Sequence, residues 1–254
     1  MIPLVSVALF LLGAIIASFV GVLAGRLHTG QSILTGRSRC DACNATLTPF
    51  MLVPIFSYVA GRGRAHCCGA RISFLAPATE ILLGGIFVLT YSTLGMTFSL
   101  LCMLLSLSLL LALVLYDLAH QILPPVLLGT FVLSGAITSF ISSSSFEEFL
   151  TTVLIAFLTG GSLALIHFFS RGRAMGFSDA PLTFGLSLLV GSAALPGFIF
   201  SFWIGAVVGI VVLLGRPVGS RIGVEVPFAP FLALGYVLAF FTQWNPFFFV
   251  AALF

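Results

Sequence analysis

The sequence predicts an all-α polytopic membrane protein with about eight transmembrane helices and a small cytoplasmic loop subdomain after the first helix. Of its 254 residues, 60% are hydrophobic and 7% are charged, and the mean hydropathy is +1.24. This composition lies far outside the range of soluble globular domains. Its apolar runs approach about 20 residues, the length with which a helix crosses the hydrocarbon core. The net charge of +3 does not indicate a nucleic-acid partner, and the lipid bilayer is the expected environment.

Eight apolar segments follow one another along the chain. The first has no basic region before it and runs at full spanning length, so we expect it to be retained rather than cleaved as a signal sequence. The fourth and fifth are separated by the polar turn ISSSSFEEF, which carries Glu147 and Glu148, and the sixth is the shortest. The predicted spans are 3–24, 76–95, 97–118, 125–142, 149–169, 180–194, 196–214 and 229–252.

The arginines orient these spans. All ten basic residues are arginines, and basic residues collect in cytoplasmic loops. With residue 1 outside, the cytoplasmic segments 25–75, 119–124, 170–179 and 215–228 contain all ten of them. The opposite orientation would place all ten outside. The sequence therefore predicts a multi-pass protein with both termini external.

The chain divides into three predicted parts. These are the first transmembrane helix over 1–24, a cytoplasmic Cys/Arg-rich loop subdomain over 25–75, and a membrane-embedded core over 76–254. The loop is too short for a large hydrophobic core, so we expect it to depend on a staple. No convincing internal repeat is evident.

Four of the five cysteines lie in the loop, as RCDAC and AHCCG. A cytoplasmic setting disfavours disulfides, and a C-x2-C pair followed by a second thiol pair is typical of structural zinc. Adjacent cysteines do not easily form the same chelating turn, so His66 is an alternative ligand, and a metal-free loop also stays open. Cys102, in the third span, reads as a packing residue. The candidate metal ligands are Cys40, Cys43, Cys67 and Cys68.

Two aspartates lie at helix ends. Asp117 closes the third span and Asp179 opens the sixth, so both are expected at the same shallow depth on the same side. Two neighbouring carboxyl groups can share a proton and activate a water, as in aspartic proteases. The structural alternatives are an N-cap at Ser178 or Asp179, with Pro181 in the first turn, and an Asp117 that reaches towards water. A helix C-terminus is nevertheless an unfavourable place for a negative charge.

Several segments together resemble the bacterial type IV prepilin peptidases, nearly from end to end. They include the loop CDACNATLTPFMLVPIFSYVAGRGRAHCCGARIS and the following ATEILLGG, which contains Glu80. YDLAHQILPP is similar to the family's D-x5-LPD segment, and GFSDAPL is similar to its G-x-G-D-x-K-L segment. VPFAPFLALG is similar to the family's PFGPFLALG at the start of the last span.

The resemblance implies a membrane aspartyl protease of the GxGD type. Such an enzyme removes the leader from type IV prepilins or type II secretion pseudopilins at the cytoplasmic face of the bacterial inner membrane. Asp117 and Asp179 would form the catalytic pair, with Gly176, Ser178 and Glu80 as substrate-binding or site-supporting residues. Proteolysis would need no cofactor. Many members also N-methylate the new terminus with S-adenosylmethionine, an activity linked to the cysteine loop.

The sequence departs from the family pattern in several places. Ser178 stands for the second glycine of GxGD, Pro181 lies near the usual lysine, and Pro125 replaces the aspartate of LPD. Ala65 takes the place of the third cysteine. Serine at 178 is expected to lower catalytic efficiency, since glycine permits close backbone approach. Alanine at 65 is expected to weaken zinc binding and methylation.

Two other functions are compatible with parts of the sequence. A catalytically weak or inactive relative would bind prepilins or scaffold the assembly machinery. A proton-relaying transporter would place its acids near the bilayer midplane, whereas both aspartates lie at helix ends. For Glu80 and Glu225, pairing with Arg71 or Arg221 is favoured over binding of a basic leader.

Overall fold

The computed structural model describes residues 2–26, 39–40, 42–215, 227–244 and 246, and these form helices and turns without a β-strand. The long apolar helices occur where the hydropathy predicts them, which confirms the all-α polytopic class. Short 3-10 turns lie at Pro49–Leu52 and Gly191–Ala193. The α-helices are α1 Ile2–Arg26, α2 Phe56–Ala60, α3 Leu75–Leu94, α4 Phe98–His120, α5 Pro125–Ser142, α6 Phe146–Ser170, α7 Asp179–Val190, α8 Ala194–Leu214 and α9 Ala229–Thr242.

Six apolar stretches of the described chain are long enough to cross a membrane, and α7 and α8 together form the last of these. The fourteen-residue α9 is a shorter apolar helix. It starts where predicted and ends before Gln243, which has a φ of 51°. The remainder of the predicted last span, at 245 and 247–252, falls outside the described residues.

Two helix boundaries differ from the predicted span edges by three and four residues, for local reasons. Helix α6 begins at Phe146 instead of 149, because the Ser145 hydroxyl accepts the N–H of Glu148 and the Glu148 carboxylate accepts that of Ser144. This pair differs from a standard capping box only in that the carboxylate accepts the N–H of Ser144, the residue before the N-cap Ser145. Helix α7 ends at Val190 instead of 194, because Gly191 has a φ of 60° and turns the chain. Its twelve residues span about 18 Å, less than a hydrocarbon core of about 30 Å.

The chain forms two compact units, Met1–Met96 and Thr97–Phe254. In the first unit, α1 packs along α3 through a close approach of two backbones. A Cβ on Gly13 would lie 2.8 Å from the Cα of Gly84, and a Cβ on Gly84 would lie 2.8 Å from the carbonyl oxygen of Phe10. Glycine at both positions therefore allows this helix pair to form.

Helix α7 lies at the centre of the second unit. All its residues are buried except Pro181 and Phe184, and it packs on α5, α6 and α9. A Cβ on Gly160 of α6 would lie 2.9 Å from the carbonyl oxygen of Ala180, and a Cβ on Gly135 of α5 would lie 2.9 Å from that of Gly185. Glycine at these two positions thus lets α5 and α6 pack directly against the backbone of α7. This packing fixes the position of Asp179, the first residue of α7.

Candidate active site

Asp117 lies in the last turn of α4 with 7% of its surface exposed. Its carboxylate accepts a hydrogen bond from the backbone N–H of Ala229, the first residue of α9. The sequence left open why an acid would end a helix, where the dipole disfavours it. The N-terminus of α9 explains the position of Asp117, because a helix N-terminus presents free N–H groups and stabilises a nearby carboxylate. Sequence reasoning missed Ala229, and its only signal was the proline-containing VPFAPF segment.

Asp179 is the first residue of α7 and is 9% exposed. Its carboxylate accepts the backbone N–H of Gly176, so its side chain turns back towards the preceding loop. Of the two predicted N-cap positions, Ser178 is the one that occupies the cap, and it makes no side-chain capping bond. Burial and a backward hydrogen bond leave Asp179 available for chemistry rather than helix capping.

The two aspartates lie close enough for direct charge–charge interaction between their carboxyl groups. The C-terminus of α4 and the N-termini of α7 and α9 therefore meet at one end of the second unit. One carboxylate oxygen, Oδ2 of Asp117, is buried and has no hydrogen-bond partner among the described residues. The site thus contains two buried acids, two backbone donors and one free acceptor.

The departures from the family pattern fit the local backbone. Ser178 has φ −65° and ψ −18°, an ordinary right-handed conformation that does not require glycine. Pro125 is in the first turn of α5, and Pro181 is in the first turn of α7. The backbone N–H groups in the first turn of a helix have no intrahelical partner, so proline loses nothing there.

A histidine holds the loop that leads into Asp179. The Nδ1 atom of His167, near the end of α6, lies 2.9 Å from the carbonyl oxygen of Met175. Its ring packs edge-on against Phe177, with ring centroids 5.5 Å apart. The loop between α6 and α7 is thereby fixed on both sides of Gly176. No sequence motif singled out His167.

Glu80 belongs to the first unit and is 6% exposed. Its Oε2 accepts the backbone N–H of Ile55 at 2.6 Å. Ile55 has a φ of 62°, which is unusual for a β-branched residue. Glu80 thus ties the loop to α3, while the pairing suggested for Glu225 and Arg221 falls outside the described residues.

The four loop cysteines come together. All four Sγ atoms lie within 4.8 Å of one another, and the Cys40–Cys68, Cys43–Cys67 and Cys67–Cys68 distances are 3.7, 3.4 and 3.9 Å. Tetrahedral zinc with Zn–S bonds of about 2.3 Å places its sulfurs about 3.8 Å apart. The donor set therefore fits zinc, and His66 is not part of it.

Two similar backbone turns build this cluster, a local repeat that the sequence did not reveal. In the first, the N–H of Cys40 donates to Ala45 and the N–H of Asn44 donates to Cys40. In the second, the N–H of Ala65 donates to Ala70 and the N–H of Gly69 donates to Ala65. Position 65 is therefore equivalent to 40, and 68 to 43. The thiol missing at Ala65 is supplied by Cys67, so adjacent cysteines do serve one chelating turn.

The pKa values of Cys40 and Cys67 are shifted in opposite directions. Backbone N–H groups of Ala42 and Cys43 lower the pKa of Cys40 to about 7. Hydrogen bonding to Cys43 and to Cys40 raises the pKa of Cys67 to about 12. Because a metal needs the thiolate forms, binding releases protons and weakens as the pH falls.

Comparison with known proteins covers both units. Residues 11–94 match the bacterial peptidase A24 N-terminal domain, and residues 102–214 match the type IV leader peptidase family. A Myxococcus xanthus protein named prepilin leader peptidase/N-methyltransferase is 34% identical over 84% of this chain and 64% of its own length. Proteins of the same name from Bacillus subtilis and Dickeya chrysanthemi are 32% and 30% identical. These alignments cover 91% and 94% of this chain, and 92% and 94% of the relatives. No solved structure matches. The chain belongs to the type IV leader peptidase family.

Proposed function

We propose that this chain is an aspartic endopeptidase that removes the leader peptide from type IV prepilins or type II secretion pseudopilins. Asp117 and Asp179 are the proposed catalytic pair. The observation that carries this assignment is the convergence of two buried, interacting carboxyl groups at one end of the second unit. In a chain of the type IV leader peptidase family, such a pair supports peptide hydrolysis by acid–base catalysis.

The geometry supports different roles for the two carboxyl groups, one as the general base and the other as the general acid. In this proposal the two interacting carboxyl groups share one proton, because like charges at short range cannot both ionise. The ionised carboxylate takes a proton from a water molecule, whose oxygen attacks the carbonyl carbon of the scissile bond. The protonated carboxyl gives its proton to the leaving amide nitrogen as the C–N bond breaks. The N–H groups of Ala229 and Gly176 orient the two carboxyl groups, and no cofactor is needed.

The arginine distribution supports an active site at the cytoplasmic face of the inner membrane, with both termini periplasmic. Asp117 and Asp179 border the short segments that are predicted to be cytoplasmic. A prepilin whose apolar helix lies in the bilayer and whose leader stays in the cytoplasm would bring its cleavage site to this level. The arginines themselves would interact with anionic lipid.

The cysteine cluster is proposed to hold a structural zinc ion through Cys40, Cys43, Cys67 and Cys68. When bound, zinc would supply stability to a loop too small to have a core of its own. Three of these cysteines are exposed, so the backbone turns alone give the cluster little protection. The relatives' names include N-methyltransferase activity, and methylation with S-adenosylmethionine is a second candidate activity of this chain.

Co-expression with a candidate prepilin tests the proposal. Wild-type protein should convert the substrate to the leader-free form, whereas Asp117→Asn and Asp179→Asn should leave it intact at equal expression. Mass spectrometry of the product also reports methylation, as the added mass of one methyl group. Leader loss in both variants would refute the catalytic pair, and an intact substrate with the wild-type protein would favour the inactive relative.

A further inference from the structure

Helix α7 carries a line of polar side chains that runs from Asp179 into the bundle. Thr183 and Ser187 follow it at intervals of four residues, which places all three on one helix face. The Ser187 hydroxyl lies 2.9 Å from the Tyr236 hydroxyl of α9 and 2.8 Å from the Thr159 hydroxyl of α6. Ser187 is thus hydrogen-bonded to its neighbours, and the backbone of Gly176 lies beside the Asp179 carboxylate.

Thr183, between them, is different. It is fully buried, at 0% exposure, and its Oγ1 has no hydrogen-bond partner among the described residues. All other threonines inside the described helices donate their hydroxyl to a carbonyl three or four residues earlier in their own helix. That local bond is the usual solution for a buried threonine. The Thr183 hydroxyl points elsewhere.

Only one other buried side-chain oxygen or nitrogen in the described chain has no partner, and that is Oδ2 of Asp117. Both atoms belong to residues close to Asp179. Thr183 lies one helical turn beyond it, at a Cβ–Cβ separation of about 5–6 Å, and Asp117 interacts with its charge directly. Two unsatisfied polar atoms beside the same carboxylate point to a shared ligand, because buried polar groups in proteins are almost always hydrogen-bonded.

We propose that the Thr183 hydroxyl is a water-binding group of the active site that holds the hydrolytic water beside the two aspartates. The inference rests on the proposed peptidase function. A buried water needs two to four polar partners, and Thr183, Asp117 and Asp179 supply three. The Thr183 oxygen accepts one hydrogen of the water and the ionised carboxylate accepts the other. The water oxygen then keeps a lone pair for the scissile carbonyl, and the proton passes to the carboxylate as the C–O bond forms.

Steady-state cleavage of a purified prepilin by the full-length protein in lipid nanodiscs tests this role. Thr183→Val keeps the shape and removes the hydroxyl, and it should lower kcat about 10- to 100-fold with little change in KM, because a mispositioned nucleophile affects the chemical step. Thr183→Ser keeps a hydroxyl and should retain most of the wild-type kcat. Thr138→Val is the matched control, because Thr138 is also buried and donates to the Ser134 carbonyl of its own helix.

A wild-type kcat in Thr183→Val would overturn the inference, and so would equal losses in Thr183→Val and Thr138→Val. Thermal unfolding of each variant separates folding defects from kinetic ones. Should Thr183→Val not fold, the comparison of Thr183→Ala with Thr183→Ser decides, since equal kcat values for these two would contradict a role for the hydroxyl. Activity that survives in Asp117→Asn would refute the catalytic pair itself, whatever Thr183 does.

Discussion

The cysteine cluster of the first unit and the aspartate pair of the second are assembled in opposite ways. Local backbone turns position the cysteines, and three of the four are exposed. The aspartates are separated by 62 residues in the sequence (179 − 117), and packing of α4, α7 and α9 buries them both. With the proposed zinc bound, the first arrangement would depend on a metal ion for its stability, whereas the second is maintained by the helices around it. Changes at one site should therefore leave the other intact.

The largest expected effect is on catalysis. Asp179→Asn should lower kcat about 10²- to 10⁴-fold, the usual contribution of a general acid or base, because an amide can neither take nor give the proton that a carboxyl of the proposed pair transfers. Zinc content should be unchanged, since the cluster lies in the other unit. Kinetics with a purified prepilin and metal analysis of the same preparation check both statements. A parallel loss of zinc would contradict the independence of the two sites.

The next effect concerns the metal. Cys67→Ala should lose the proposed zinc ion, because it removes one of its four candidate ligands. Ala65→Cys in the same chain should restore zinc, because position 65 is equivalent to Cys40 in the paired turns. Zinc per protein, measured by mass spectrometry on purified samples, distinguishes these outcomes. If Cys67→Ala keeps its metal, Cys67 is not a ligand.

A smaller effect is expected on the packing around α7. Gly160→Ala would place a Cβ 2.9 Å from the Ala180 carbonyl oxygen and 3.1 Å from the Phe184 Cβ, and such overpacking costs about 1–3 kcal/mol. Gly161→Ala is the matched control, because a Cβ there meets nothing within 4 Å. Thermal unfolding in the same detergent should show a lower Tm for Gly160→Ala alone. Equal Tm values would show that α6 and α7 can move apart to accommodate the added methyl group without a loss of stability.

The smallest effect is expected at Gly176. A Cβ there would lie 3.6 Å from the Asp179 Oδ2, which is ordinary van der Waals contact, and alanine keeps the N–H that Asp179 accepts. Gly176→Ala should therefore retain most of the wild-type kcat and KM for prepilin cleavage. A fall in kcat as large as that of Asp179→Asn would contradict this prediction. It would show that the substrate, rather than Asp179, needs the space beside Gly176.

The sequence was sufficient to predict what depends on composition and spacing. Hydropathy predicted the apolar helices, and topology together with the family resemblance selected Asp117 and Asp179. Gly191 was missed because its positive φ, which shortens α7, is a property of the folded backbone. The partner of Asp117 was also missed, because Ala229 contributes only a backbone N–H and lies 112 residues away (229 − 117). The thiol at Cys67 looked irregular, since the equivalence of the two turns appears only in their hydrogen bonds.

The packing of α7 has a consequence for substrate selection. Asp179 begins a helix that packs closely on α5 and α6 at two glycines. This packing holds its carboxyl group at one depth in the membrane, so Asp179 would not shift to reach a peptide bond at a different depth. In the proposed enzyme, the depth of Asp179 in the membrane would then select the peptide bond that is cut, and the substrate must present its cleavage site at the same depth. Residues inserted into a prepilin between its cleavage site and its apolar helix should shift or abolish the cut even though the local cleavage motif is unchanged.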